Sequence, residues 1–166
     1  MDAGMGQPLP SAWTLWAHLP HDTDWTLPSY QQIKTFASLD DCIAVVEWLP
    51  RPFVTNCMLF LMRDGVSPTW EDDKNRDGGS FSYKLQNRLV PEAWKELSYR
   101  LVGETLLAPV KQARKVNGIT ISPKKNFCIM KVWMCDCDTT DPKLIAPDSH
   151  IFKPKCCIFK KHKPVE

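Results

Sequence analysis

Trp70-Glu71-Asp72-Asp73-Lys74-Asn75-Arg76-Asp77-Gly78-Gly79-Ser80-Phe81-Ser82-Tyr83-Lys84-Leu85 joins two kinds of sequence. The first ten residues form a charged loop, headed by an indole and a carboxylate and closed by a glycine pair that lets the chain turn. The last six alternate. Phe81, Tyr83 and Leu85 share one side and Ser80, Ser82 and Lys84 the other, as in a strand with one apolar face. Packing does not require an indole at the head of a charged loop. A ligand with a flat, electron-poor face and a row of N–H donors does.

Upstream, Cys57 to Met62 is a nearly continuous apolar run, the pattern of a central strand, and Arg63-Asp64-Gly65 turns the chain after it. Ser38 with Asp41 three residues on caps a helix that runs through Trp48 and is stopped by Pro50 and Pro52. Ile33–Phe36 and Trp13–Ala17 read as strands. His18–Ser29 is a loop containing Trp25, which is either a lid over the core or a ligand platform. Residues 1–10 are a flexible lead-in.

Downstream, Pro91 opens a second helix, with Trp94, Leu97 and Leu101 on one face and Gly103 as its C-cap. Leu106–Val116 reads as a further helical piece broken by Pro109. Gly118–Ile121 is a strand, Pro123–Asn126 a turn, and Phe127–Met134 another strand. In that last strand Cys128, Met130 and Val132 face the core, whereas Phe127, Ile129, Lys131 and Trp133 face solvent or a site. A short segment spans Pro142–His150, a strand lies near Cys156–Phe159, and residues 160–166 are a basic tail. Seven or eight short strands with two or three helices, linked mostly by loops, predict a single α+β domain over residues 1–166. Its sheet is antiparallel with the helices on one face.

Composition narrows the function classes. The chain is 43% hydrophobic and 24% charged, as globular domains are. It has no run approaching a membrane span and no signal-peptide start, so a cytosolic or nuclear place is expected and no membrane partner. Seven irregularly spaced cysteines predict reduced thiols, mostly in the core. Their C-x-C and C-C spacings are not zinc knuckles, so no metal site is expected. No phosphate-binding loop, dinucleotide glycine motif or nucleophile elbow is present. The four histidines, His18, His21, His150 and His162, have no nucleophile partner in sequence. The chain is therefore not expected to be an enzyme or to need a cofactor. Net charge is only +2, but Thr120–Glu166 holds nine lysines against four aspartates and one glutamate, which suits phosphate or RNA.

The tryptophans carry a resemblance. Pro8-Leu9, Trp13-x-x-Trp16, Trp25, Trp70-Glu71-Asp72-x-Lys74-Asn75-x-x-Gly78-Gly79, Trp94-x-Glu96, Gly103-Glu104 and Trp133 resemble eukaryotic translation initiation factor 4E, the mRNA cap-binding family, over roughly residues 7–162. The resemblance implies a curved antiparallel sheet with helices on its convex face. It also implies a ligand, the 7-methylguanosine of capped mRNA. Methylation at N7 makes that ring cationic, and two indoles matching Trp25 and Trp70 would sandwich it. Glu71 would accept the N1–H and N2–H pair, and Trp133 would pack near the methyl group. The other tryptophans, Trp13, Trp16, Trp48 and Trp94, are assigned to packing.

For the cap phosphates, counting back from Trp133 places Lys124 opposite the family arginine and Ile129 at a family lysine. Lys125 and Lys131 complete the expected set, with Lys160, Lys161 and Lys163 in the C-terminal loop. A lysine lacks the arginine fork, so a weaker phosphate grip is expected. The family's convex partner patch maps to Pro8, Leu39, Ile43, Lys95, Glu96, Tyr99 and Glu104. Ile43 stands at the family tryptophan, so the implied partner is a divergent 4G-like scaffold or 4E-binding regulator. Two other readings remain open: a relative without cap affinity acting as an interaction module or translational repressor, and a single-strand RNA binder without methyl selectivity.

Overall fold

A computed structural model describes residues 6–165. Seven strands, β1 (Pro8–His18), β2 (Gln31–Ser38), β3 (Met58–Arg63), β4 (Gly79–Leu85), β5 (Val116–Pro123), β6 (Cys128–Met134) and β7 (Cys157–Lys161), form one curved sheet. The spatial order is β2-β1-β3-β5-β6-β4-β7. Every pairing is antiparallel. Three helices, α1 (Leu39–Trp48), α2 (Arg51–Asn56) and α3 (Val90–Val102), pack on one face.

The main core lies between that face and the helices. Trp13, Leu15, Leu59, Leu61, Phe81, Tyr83, Ile119 and Ile121 meet Cys42, Val46, Val54, Trp94, Leu97 and Leu101 there. Cys128, Met130 and Val132 join them, as strand parity predicts. A second, smaller cluster lies on the opposite face, where Phe60, Met62, Val66 and Trp133 pack with Trp16, Tyr30, Met58 and Trp70. β3 reads as unbroken apolar sequence because both its faces are covered.

Ser38 caps α1 through its hydroxyl, which accepts from the Asp41 N–H at 3.2 Å. Pro50 and Pro52 do end α1, but they also begin α2, because proline is tolerated at a cap and in a first turn. Gly103 caps α3 with ordinary dihedrals, and the left-handed position falls to Glu104 (φ 55°), whose carboxylate is held by Arg63 at 3.1 Å. Leu106–Val116 does not form the expected helical piece. Only a 3₁₀ turn, Val110–Lys115, follows Pro109.

The first residues do not all form a lead-in: β1 begins at Pro8, opposite Ser38, and residues 1–5 lie outside the described chain. Trp13 and Trp94 are buried, Trp16 is half-buried in the second cluster, and Trp48 is 85% exposed, so its assignment to packing is corrected. Gly78 and Gly79 are needed for space. A Cβ on Gly78 would overlap the Met134 carbonyl, and one on Gly79 would overlap Phe159, because β4 is squeezed between β6 and β7.

Candidate functional site

The charged loop after Trp70 is built from its own side chains. Asp72 accepts from the Ser67 and Lys74 amides, both at 2.8 Å, and its carbonyl accepts from the Asn75 and Arg76 amides. Asn75 is fully buried. Its Nδ2 donates to the carbonyls of Ser67 and Thr69, and its Oδ1 accepts from Asn117 of β5 at 2.9 Å. These bonds leave the loop little freedom, because each satisfies a polar group that burial would otherwise penalise.

A residue from the far end of the chain completes the loop. His162, read in sequence as part of a solvated tail, is buried. Its Nδ1 donates to the Asn75 carbonyl at 2.7 Å, so the neutral ring takes up the Ser80 hydroxyl at Nε2, at 2.6 Å. Burial, with a contribution from the nearby Lys131 charge, holds its pKa below the ordinary histidine value. The ring lies close to parallel with Trp70, at 5.8 Å and 15°, and tilts against Trp133 at 5.1 Å.

Trp25 is held in a similar way. His18 is buried at the end of β1 and lies flat against Trp25, with centroids 3.9 Å apart and planes 1° apart. Its Nε2 donates to the Asp24 carbonyl at 2.7 Å, while the Asp24 carboxylate takes the Thr26 amide and hydroxyl. Trp25 remains 57% exposed. Between the two indoles runs an edge-to-face series, Trp25 to Tyr30 to Phe60 to Trp133.

Trp25, Trp70, Glu71, Trp133 and Lys131 thus come together around one cleft of about 320 Å³, with Tyr30, Met58, Phe60 and Thr120 completing its lining. Burial, with the Glu71 charge, pushes the Tyr30 phenol up to about 12. The Glu71 carboxylate accepts from the Val165 amide at 3.2 Å. Sequence reasoning missed His18, Tyr30, Phe60 and His162 as parts of this site. His162 had one visible signal, a lone imidazole within a run of lysines.

The lysines sort into two places. Lys131 also lines an adjoining groove of about 570 Å³ with Lys160, Lys161, Lys163, Ser80, Ser82, Trp70 and His162. Lys124 instead lines a separate cavity with His18, Trp25 and Ser122, and Lys125, exposed on the β5–β6 turn, lines neither cleft. On the helical side, Leu9, Leu39, Ile43, Tyr99, Val102 and Gly103 line an apolar groove of about 380 Å³. Ile43 is 41% exposed there, so it is not a core residue. Pro8 falls outside the lining and Leu9 takes its place. Glu96 accepts from Ser149 at 2.7 Å and sits 3.7 Å from Arg100, whereas Lys95 and Tyr99 both bond Glu47.

The profile of the family described as eukaryotic initiation factor 4E matches residues 8–149. The chain belongs to this family. It is 26% identical over 151 residues to eukaryotic translation initiation factor 4E of Candida albicans, covering 84% of this chain and 69% of that one. It is 27% identical over 143 residues to factor 4E-2 of Schizosaccharomyces pombe, covering 81% and 56%. Among solved structures, Ascaris suum eIF4E-3 with an m7G cap superimposes with a TM-score of 0.72 at 19% identity, covering 81% of this chain and 77% of that one. A schistosome eIF4E in complex with m7GpppG and 4E-BP gives 0.71 at 23% identity, covering 81% and 75%. At these identities the structural likeness concerns the fold.

Proposed function

We propose that this chain binds the 7-methylguanosine 5′ end of mRNA in translation initiation or its regulation, in the cytoplasm. The observation that carries the reading is the convergence of Trp25, Trp70, Glu71 and Trp133, from three separate segments, on one cleft beside a lysine-lined groove. The cationic, flat base stacks between Trp25 and Trp70, each contact contributing on the order of 1–3 kcal/mol. Glu71 accepts the N1–H and N2–H pair, exchanging the Val165 amide for two donors in a fixed fork. Trp133 packs against the methylated edge, and the phosphates extend into the groove of Lys131, Lys160, Lys161 and Lys163. Without the arginine fork these lysines hold the phosphates as point charges and more weakly, and Lys124 and Lys125 have the lesser part.

The apolar groove of Leu9, Leu39, Ile43 and Tyr99 takes the apolar face of a partner helix from a 4G-like scaffold or a 4E-binding regulator. With Ile43 in place of an indole, that partner relies on apolar contact alone at this position.

Retention on a 7-methylguanosine resin tests the reading. The expected result is elution by 7-methyl-GTP but not by GTP, and loss of retention in Trp70→Ala and Glu71→Ala. A protein that is not retained, yet binds a partner helix, is an interaction module instead. One released equally by GTP is a general RNA binder.

A further inference from the structure

After β7 the chain crosses from the wall of the cleft to its rim. The strand ends at Lys161, and His162 is fixed there by both backbone and ring. Its amide donates to the Gly78 carbonyl at 2.9 Å, and its imidazole is held between Asn75 and Ser80. Lys163 and Pro164 alone separate this anchor from Val165. Pro164 is half-buried, fixes its own φ and biases Lys163 toward an extended backbone. Three residues span at most about 10 Å, so the short strap has few places to go. It reaches the cleft, where the Val165 amide donates to Glu71 Oε1 at 3.2 Å. Val165 is 78% exposed, so packing does not hold it there. Among the described residues Glu71 pairs with no lysine or arginine, and its side chain accepts no other hydrogen bond. A carboxylate that lines the cleft without a cation is thus met by one backbone N–H.

We propose that residues 163–165 form an internal competitor for the cleft, in which the Val165 N–H occupies the carboxylate that the N–H edge of a ligand must take. This rests on the cap-binding reading above, in which Glu71 accepts the N–H pair of the base. The competitor is tethered, and a tether this short presents it at an effective concentration on the order of millimolar. Its hold is a single charge-assisted bond at an exposed position. An amide released there passes to water at little cost, because Val165 is exposed. The strap therefore lowers affinity by a modest factor, about threefold to tenfold, and never shuts the site. The factor is the same for every ligand that uses Glu71, because the cost of opening belongs to the free protein alone. Release of Val165 raises affinity without changing any residue that contacts the base.

Two substitutions separate the amide from the side chain. Val165→Pro removes the N–H, whereas Val165→Ala keeps it. Affinity for 7-methyl-GTP, by tryptophan fluorescence titration, is expected to rise about threefold to tenfold in Val165→Pro and to stay at the wild-type value in Val165→Ala. The melting temperature checks folding in both. An unchanged or weaker affinity in Val165→Pro overturns the proposal. So does an equal rise in Val165→Ala, which would assign the effect to the side chain. A second measurement needs no ligand. In the proton–nitrogen correlation spectrum of the free protein, Glu71→Gln is expected to move the Val165 amide proton upfield, because a neutral acceptor replaces a charged one. A stationary resonance overturns the proposal. If neither the wild-type protein nor Val165→Pro binds 7-methyl-GTP, the cap-binding reading has failed, and the Val165 resonance alone decides whether the strap occupies Glu71.

Discussion

The His162 imidazole lies behind the Trp70 indole, 5.8 Å away and 15° from parallel, and the two residues are 92 positions apart in the chain. Through this pair the C-terminal segment sets the attitude of the indole at the other end of the cleft. His162→Ala removes the ring, leaves the Ser80 hydroxyl unpaired in the interior and leaves the Asn75 carbonyl with only its bond from the Gly78 amide. The expected loss is about 2–4 kcal/mol of folding stability, measured by urea denaturation. Affinity for a stacking nucleotide should fall as well.

The same histidine predicts a pH dependence. Its folded pKa is depressed below the unfolded value of 6.5, because burial disfavours the charged ring. Below that value the unfolded chain binds a proton that the folded chain resists, so this contribution is full above pH 6.5 and is lost as pH falls toward the folded pKa. The slope cannot exceed about 1.4 kcal/mol per pH unit for one group. Stability profiles of the wild-type protein and His162→Phe should converge as pH is lowered through the window just below neutrality. A constant gap would show that another group is titrating.

Trp25 depends on His18 for its orientation. His18→Ala removes a flat stacking partner and the bond to the Asp24 carbonyl. About 1 kcal/mol of loop ordering should go with it. The nucleotide affinity of His18→Ala should therefore fall, while a partner helix, bound on the other face of the sheet, should bind as before. Isothermal titration with both ligands separates the two effects.

Two tryptophans read alike in sequence should respond oppositely to truncation. Trp94→Ala, deep between α3 and the sheet, should cost about 3–5 kcal/mol. Trp48→Ala, with its ring 85% exposed at the end of α1, should stay within about 0.5 kcal/mol of wild type. Chemical denaturation of the two variants decides it.

How far the sequence could be read follows from the range of each interaction. The Ser38 cap, the parity of Cys128, Met130 and Val132 and the α3 stripe of Trp94, Leu97 and Leu101 were legible, because neighbours along the chain set them. α2 was not, because Pro50 and Pro52 end one helix and start the next with the same covalent restriction. That Leu39, Ile43 and Tyr99 lie together was legible, and they line one apolar groove. Leu9 for Pro8, and the inward bonds of Glu96, depended on which way each side chain turns.

By itself the sequence determined the strand periodicity, the order and spacing of the tryptophans, and so the family and its fold. It also determined that a cation and an indole, Lys131 and Trp133, share one face of β6. Only the tertiary structure decided what stands behind each indole and how the lysines divide. β4 pairs with both β6 and β7, which sets Ser80 opposite Trp133 on one side and Lys160 on the other. That register joins segments dozens of residues apart. A one-residue slip would turn every side chain to the other face, and it is the burial of one face against the helices that prevents it.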